Sequence, residues 1–134
     1  MDSLPSINIS FNIGGKNLPF DEITNALGFE PTKVWVQNKP HLADLLEIEN
    51  SCWTFELRDQ LSESTDEVII RLLEKIWIYR DNIQHYLDAK EYTASIVVNV
   101  TFHNKRPLYD LSIKTMKMLA FLRCDFNMDI FDYS

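Results

Sequence analysis

Glycine, cysteine and histidine are all scarce in this chain. Its 134 residues hold three glycines, two cysteines and three histidines. Phosphate-binding loops need several glycines ahead of a helix. Gly14-Gly15-Lys16 lacks the further glycine and the Lys-Ser/Thr pair of such a loop, so it reads as a turn. Cys52 and Cys124 are remote from each other, form no Cys-x-x-Cys, and have no histidine at ligand spacing. A zinc site needs about four ligands at short spacings, so no metal and no cofactor is expected. The thiols read as small buried hydrophobes of a cytoplasmic protein. His41 sits in an undefined stretch, His85 on the outer side of a long helical pattern, and His103 just past a strand end. No two share a local element, so no acid–base pair is expected. Gly-x-Ser-x-Gly is absent, which removes a nucleophile elbow. The expectation is a protein that is not an enzyme.

Long apolar runs are missing too. None approaches the roughly 18–20 residues that span a bilayer as a helix, and Met1–Pro5 carries no basic segment of the kind that opens an export signal. Basic excess is also absent: 13 Lys+Arg stand against 20 Asp+Glu, a formal net charge of −7. Phosphate backbones are held by clustered Lys and Arg. The only local pairs here are Lys105-Arg106 and Lys114/Lys117, so neither nucleic acid nor membrane is expected as a partner.

What is present is enough apolar material for one core. Hydrophobic residues make up 46% and aromatics 12%, which excludes intrinsic disorder. A chain of this length buries about two-thirds of its unfolded surface as a single domain, and residues 1–134 are read as one.

Ile7, Ile9, Phe11 and Ile13 alternate with polar residues and predict a strand with one buried face. A short helix is predicted next, with Asp21 as N-cap, Ile23, Ala26 and Leu27 inward, and Gly28 as its stop. Thr32 to Gln37 is extended, with Val34 and Val36 on one side and Trp35 on the other. Residues 38–50 stay open between a helical turn at Leu42, Leu45 and Leu46 and a long loop. Trp53, Phe55 and Leu57 predict a strand. Ser64-Thr65-Asp66-Glu67 has the form of a capping box and opens the longest helical pattern. That pattern runs almost to Glu91 and is apolar all round at Ile76-Trp77-Ile78-Tyr79, which predicts a break near Tyr79 to Asp81 with both sides covered. Ala94, Ile96, Val98, Val100 and Phe102 make the strongest strand. Leu111 to Leu122 reads as a helix with Ile113, Met116, Leu119 and Ala120 inward and Met118 half exposed. Phe126, Met128 and Ile130 make a last strand.

The order is strand, helix, strand, strand, helix, strand, helix, strand. Its first six elements spell a split βαβ. The expected fold is α+β, ferredoxin-like βαββαβ with an appended helix and strand, with helices on one face of a mainly antiparallel sheet.

Phe20-Asp21-Glu22-Ile23-Thr24-Asn25-Ala26-Leu27-Gly28 followed by Glu30-Pro31-Thr32 resembles the opening signature of domain-of-unknown-function family 4279, a group of small, mostly bacterial proteins. The Trp53 strand, the long central helix and Asp129-Ile130-Phe131 match the family's layout. Where relatives tend to carry a Gly-centred turn after Trp35, this chain has Gln37-Asn38-Lys39-Pro40. The resemblance implies no catalytic residues. It implies a role of the antidote type found in toxin–immunity pairs.

Charge is uneven along the chain. Between His41 and Glu67 lie eight acids, Asp44, Glu47, Glu49, Glu56, Asp59, Glu63, Asp66 and Glu67, with Arg58 the only base. Such a window attracts basic protein surfaces. The plainer account is a helix N-terminus that favours carboxylates and a solvated loop. Trp35, Phe131 and Tyr133 fall on nominally polar strand sides, and exposed aromatics mark interfaces. A covering loop, or pairing of the last strand with another chain, accounts for them equally.

The leading expectation is a protein-binding module with a basic protein partner, in its specific form an immunity protein neutralising a toxin. Its candidate residues are Asp44, Glu47, Glu49, Glu56, Asp59, Glu63 and Trp35. The alternative is a small-ligand-sensing or self-associating regulatory domain, using the open sheet face or a cleft near the loop at 37–50, with a homodimer formed through an edge strand.

Overall fold

A computed structural model of the chain describes residues 3–36 and 50–134. Leu42, Leu45, Leu46 and the Gln37–Pro40 stretch lie outside the described residues. The elements are β1 (Ser6–Gly15), α1 (Phe20–Leu27), β2 (Lys33–Val36), β3 (Ser51–Leu61), α2 (Thr65–Ile76), a 3-10 turn (Trp77–Tyr79), α3 (Arg80–Ala89), β4 (Thr93–Phe102), α4 (Ile113–Phe121) and β5 (Cys124–Asp132). They form a mixed α+β structure on one five-stranded sheet of order β2-β3-β1-β4-β5.

β1 is central because both of its edges are paired, antiparallel, to β3 and β4. β2 adds antiparallel to β3. β5 lies parallel to β4, so this ladder is the exception in a mainly antiparallel sheet. A parallel neighbour requires a crossover of a dozen or more residues, and residues 103–123, with α4, provide it. β5 takes the sheet beyond the four strands of a ferredoxin-like unit.

Alternation decides which face is buried. Ile7, Ile9, Phe11 and Ile13 of β1 join Ile96, Val98 and Val100 of β4 in one cluster with Ile23, Leu27, Ile69, Leu72, Leu73, Ile76 and Ile83 of the helices. The described helices therefore pack on one face of the sheet. Trp53 is fully buried there, edge-on to Phe11 and Phe29, and its indole N–H donates to Thr24 Oγ1 at 3.1 Å. That bond gives the buried indole the partner it needs.

In β3 a bulge breaks the alternation: Ile7 pairs with Gln60 but Ile9 with Leu57. The extra residue shifts parity by one. Asp59 takes a left-handed φ of 54° there, and its N–H donates to Asn8 Oδ1 at 2.7 Å. Beyond the bulge Leu61 turns outward and is exposed.

Several local expectations are corrected. The N-cap of α1 is Pro19, whose carbonyl accepts from Ile23 N–H at 3.0 Å. Asp21 lies inside the first turn with Glu22, where the helix dipole favours both. Only half of the capping box forms. Ser64 Oγ accepts from Glu67 N–H at 3.3 Å, but the Glu67 carboxylate accepts instead from Ser62 Oγ at 2.8 Å and pairs with Arg71. Ser62 Oγ in turn takes the Ser64 N–H.

The long helix breaks at Trp77–Tyr79, two residues earlier than expected. The Trp77 carbonyl accepts both the Arg80 backbone N–H and, at 2.9 Å, its guanidinium, so the carbonyl at the break is doubly engaged. Ile78 points out and is 78% exposed, so the apolar run is not covered all round.

α4 is also rotated from its expected phase. Thr115, Met118, Leu119 and Leu122 are inward, while Ile113, Met116 and Ala120 are exposed. Thr115 can face inward because its hydroxyl donates to Asp66 Oδ1 at 2.6 Å. Among the described residues, no helix is long and apolar enough to cross a membrane.

Candidate functional site

The face of the sheet turned away from the helices is built from the polar halves of the alternating strands. On β1 it presents Asn8, Ser10 and Asn12, and on β4 their cross-strand partners Asn99, Val97 and Ser95. β5 adds Asp125, Asn127 and Asp129, each beside one of those β4 residues. On β3 it presents Cys52, Thr54 and Glu56. No described helix contributes to this face. A hollow of about 340 Å³ lies on it, lined by Ser10, Asn12, Gly14, Cys52, Ser95 and Val97 among others. Asn12 organises its floor, accepting from Thr54 Oγ1 at 2.8 Å and donating to Ser10 Oγ at 2.9 Å.

Two aromatics stand at opposite corners of this face. Trp35 pairs with Cys52 beside Gly14, and Phe131 pairs with Thr101 beside Ser6. Trp35 is 54% exposed and Phe131 45%. Strand spacing and rise put them about 19 Å apart across the sheet and about 27 Å along it. Tyr133, two residues on, is exposed and its ring lies 5.9 Å from that of His103.

The acidic window does not gather into one patch among the described residues. Asp44, Glu47 and Glu49, with His41, lie outside them. Glu56 is on the sheet face, within 3.5 Å of Lys33 and 3.9 Å of Arg58, its side chain only 13% exposed. Asp59 holds the bulge. Glu63 pairs with Lys105 past the end of β3. Asp66 accepts from Ser112 N–H and Thr115 Oγ1. Hydrogen bonds from Ser62 and Arg71, and the charge of Arg71, hold Glu67 below the usual carboxylate range. Four of these five acids, Glu56, Glu63, Asp66 and Glu67, thus have side-chain partners, and Glu56 shares a face with Trp35.

Sequence reasoning had an open, polar sheet face but not which residues meet on it. The signal for that face was present in the polar positions of the strands at Ile7–Ile13 and Ala94–Phe102, but the register that sets Asn12 beside Ser95 and Thr54 is a tertiary fact. His85 and His103 are both exposed and lie on separate elements. Among the described residues no group of three or more His, Cys, Asp or Glu could hold a metal ion.

The model of the family described as domain of unknown function (DUF4279) matches residues 5–133. The chain belongs to the DUF4279 family. The match takes in every strand and helix described above, so the DUF4279 unit includes the α4 crossover and β5. No curated protein and no solved structure matches the chain.

Proposed function

We propose that this DUF4279 chain is a non-enzymatic protein-binding module that docks a partner with a basic surface on the sheet face that no described helix covers. The observation that carries this reading is the face itself: a continuous polar surface on five strands, with Trp35 and Phe131 exposed at opposite corners. Separable interfaces are about as polar as ordinary surface, and aromatic anchors hold most of their energy. Asp125 and Asp129 give the β5 side of the face an acidic tone, and a net charge of −7 favours encounter with a basic protein. A toxin that acts on a polyanionic substrate is such a partner, and an immunity protein is the specific form of this reading. We also read the first four strands as ferredoxin-like. Their order β2-β3-β1-β4, with every neighbour antiparallel, supports that.

The test is a tagged pull-down from a lysate of the protein's own cells at low and high salt. The readout is mass spectrometry, with Trp35→Ala, Phe131→Ala and Asp129→Lys run alongside. One basic protein captured at low salt, weakened at high salt and lost from the variants is the expected result. Capture that ignores all three substitutions, or an empty lane, overturns the reading.

A further inference from the structure

On the opposite side of the molecule, α4 stands off the end of α2 and leaves a groove of about 750 Å³. Trp77, Met118, Phe121 and Ile113 supply its apolar wall. The Trp77 and Phe121 rings are 5.5 Å apart and tilted by 58°, and Met118 lies at the bottom, almost fully buried. Ile113, at the mouth, is 67% exposed. This size and this mixture of rings with flexible aliphatic chains fit a small-molecule site.

The rim is cationic in an acidic protein. Lys114 and Lys117, one turn apart on α4, both line the groove. Lys114 is engaged by Glu74 at 3.4 Å, whereas Lys117 has no ion pair among the described residues. Among the described residues Glu74 is the only acid on the lining.

We propose that this groove binds a small amphipathic carboxylate, its acyl body on Trp77, Phe121, Met118 and Ile113 and its anionic head on Lys117. The charge pattern selects the anion. A chain of net charge −7 would otherwise take up a cationic amphiphile more readily. The site is separate from the sheet face, so the two readings stand or fall independently.

The probe is dodecanoate, titrated into the full chain below its micelle concentration by calorimetry, with dodecyltrimethylammonium and dodecanol as matched controls. Binding of the carboxylate in preference to both controls is expected, with Lys117→Glu weakening it about tenfold, the loss of one charge-assisted contact. Ile113→Glu, at an exposed position that should leave folding intact, is expected to abolish it, with circular dichroism and melting temperature unchanged. No heat with dodecanoate, equal or tighter binding of the ammonium amphiphile, or affinity unmoved by Ile113→Glu overturns the proposal.

Discussion

Asp66 and Thr115 join the two helix starts that frame the crossover. Asp66, in the first turn of α2, accepts from the Thr115 hydroxyl at 2.6 Å and from the Ser112 N–H at 3.0 Å. Thr115 is fully buried and Ser112 caps α4. One carboxylate thus serves the N-terminus of its own helix and fixes the entry of another. Leu108 fastens the same loop, its N–H donating to the Glu63 carbonyl and its carbonyl accepting from Thr65 N–H.

Asp66→Ala leaves a buried hydroxyl and a helix-entry N–H short of an acceptor. The expected loss is about 1–3 kcal/mol of unfolding free energy. Asp66→Asn keeps an acceptor and should lose less. Urea denaturation of the three proteins decides; equal midpoints for Ala and Asn would deny the bond its role.

Gly28 ends α1 with φ at 95°, its N–H donating to the Thr24 carbonyl at 2.9 Å. A Cβ there would also meet the Tyr79 ring at 3.3 Å. Gly28→Ala should cost about 1 kcal/mol or somewhat more and lower the melting temperature by a few degrees. A melting temperature at or above that of the unsubstituted chain would contradict the left-handed cap.

Burial, and then the charge of Asp125, push the Cys124 thiol up to about 12. At pH 8 only about one thiol in ten thousand is then ionised, and the thiolate is the reactive form. Iodoacetamide should label Cys124 at least a hundredfold more slowly in the folded chain than in urea, followed by peptide mapping. Matching rates would show an accessible, ordinary thiol.

Burial, and then the Glu22 carboxylate, raise the Tyr86 phenol to about 12 from 10. Tyr92 contributes to that rise, and Lys90 sits 5.8 Å from the ring and pairs with Glu22. The fold favours the protonated phenol. Its contribution is whole below pH about 10, where the unfolded phenol begins to ionise, and is lost as pH rises toward about 12. Urea midpoints at pH 9 and 11.5 should therefore fall less for Tyr86→Phe than for the unsubstituted chain. An identical fall would place the alkaline sensitivity elsewhere.

Much of the secondary structure was legible in sequence because period-two and period-3.6 apolar patterns follow directly from backbone geometry. The strands at Ile7, Trp53, Ala94 and Phe126, the helix stop at Gly28 and the long helix opening after Ser64 all appear where those patterns put them. α4 misled because its buried face includes Thr115. A hydroxyl counts as polar in any pattern until its partner is known, and Asp66 lies far from it in sequence.

The order of polar and apolar residues by itself determined most of the elements and which side of β1 and β4 would be buried. Tertiary structure alone decided what the other sides became. Strand order brought Asn12, Thr54 and Ser95 onto one surface, and pairing partners turned most of the described acidic window from a patch into local ties. The groove under α4 exists only because α4 is placed beside the end of α2, a placement their own periodicities do not encode. Local periodicity is a property of the backbone, but adjacency between strands, and between α2 and α4, comes from burying separate apolar faces in one core.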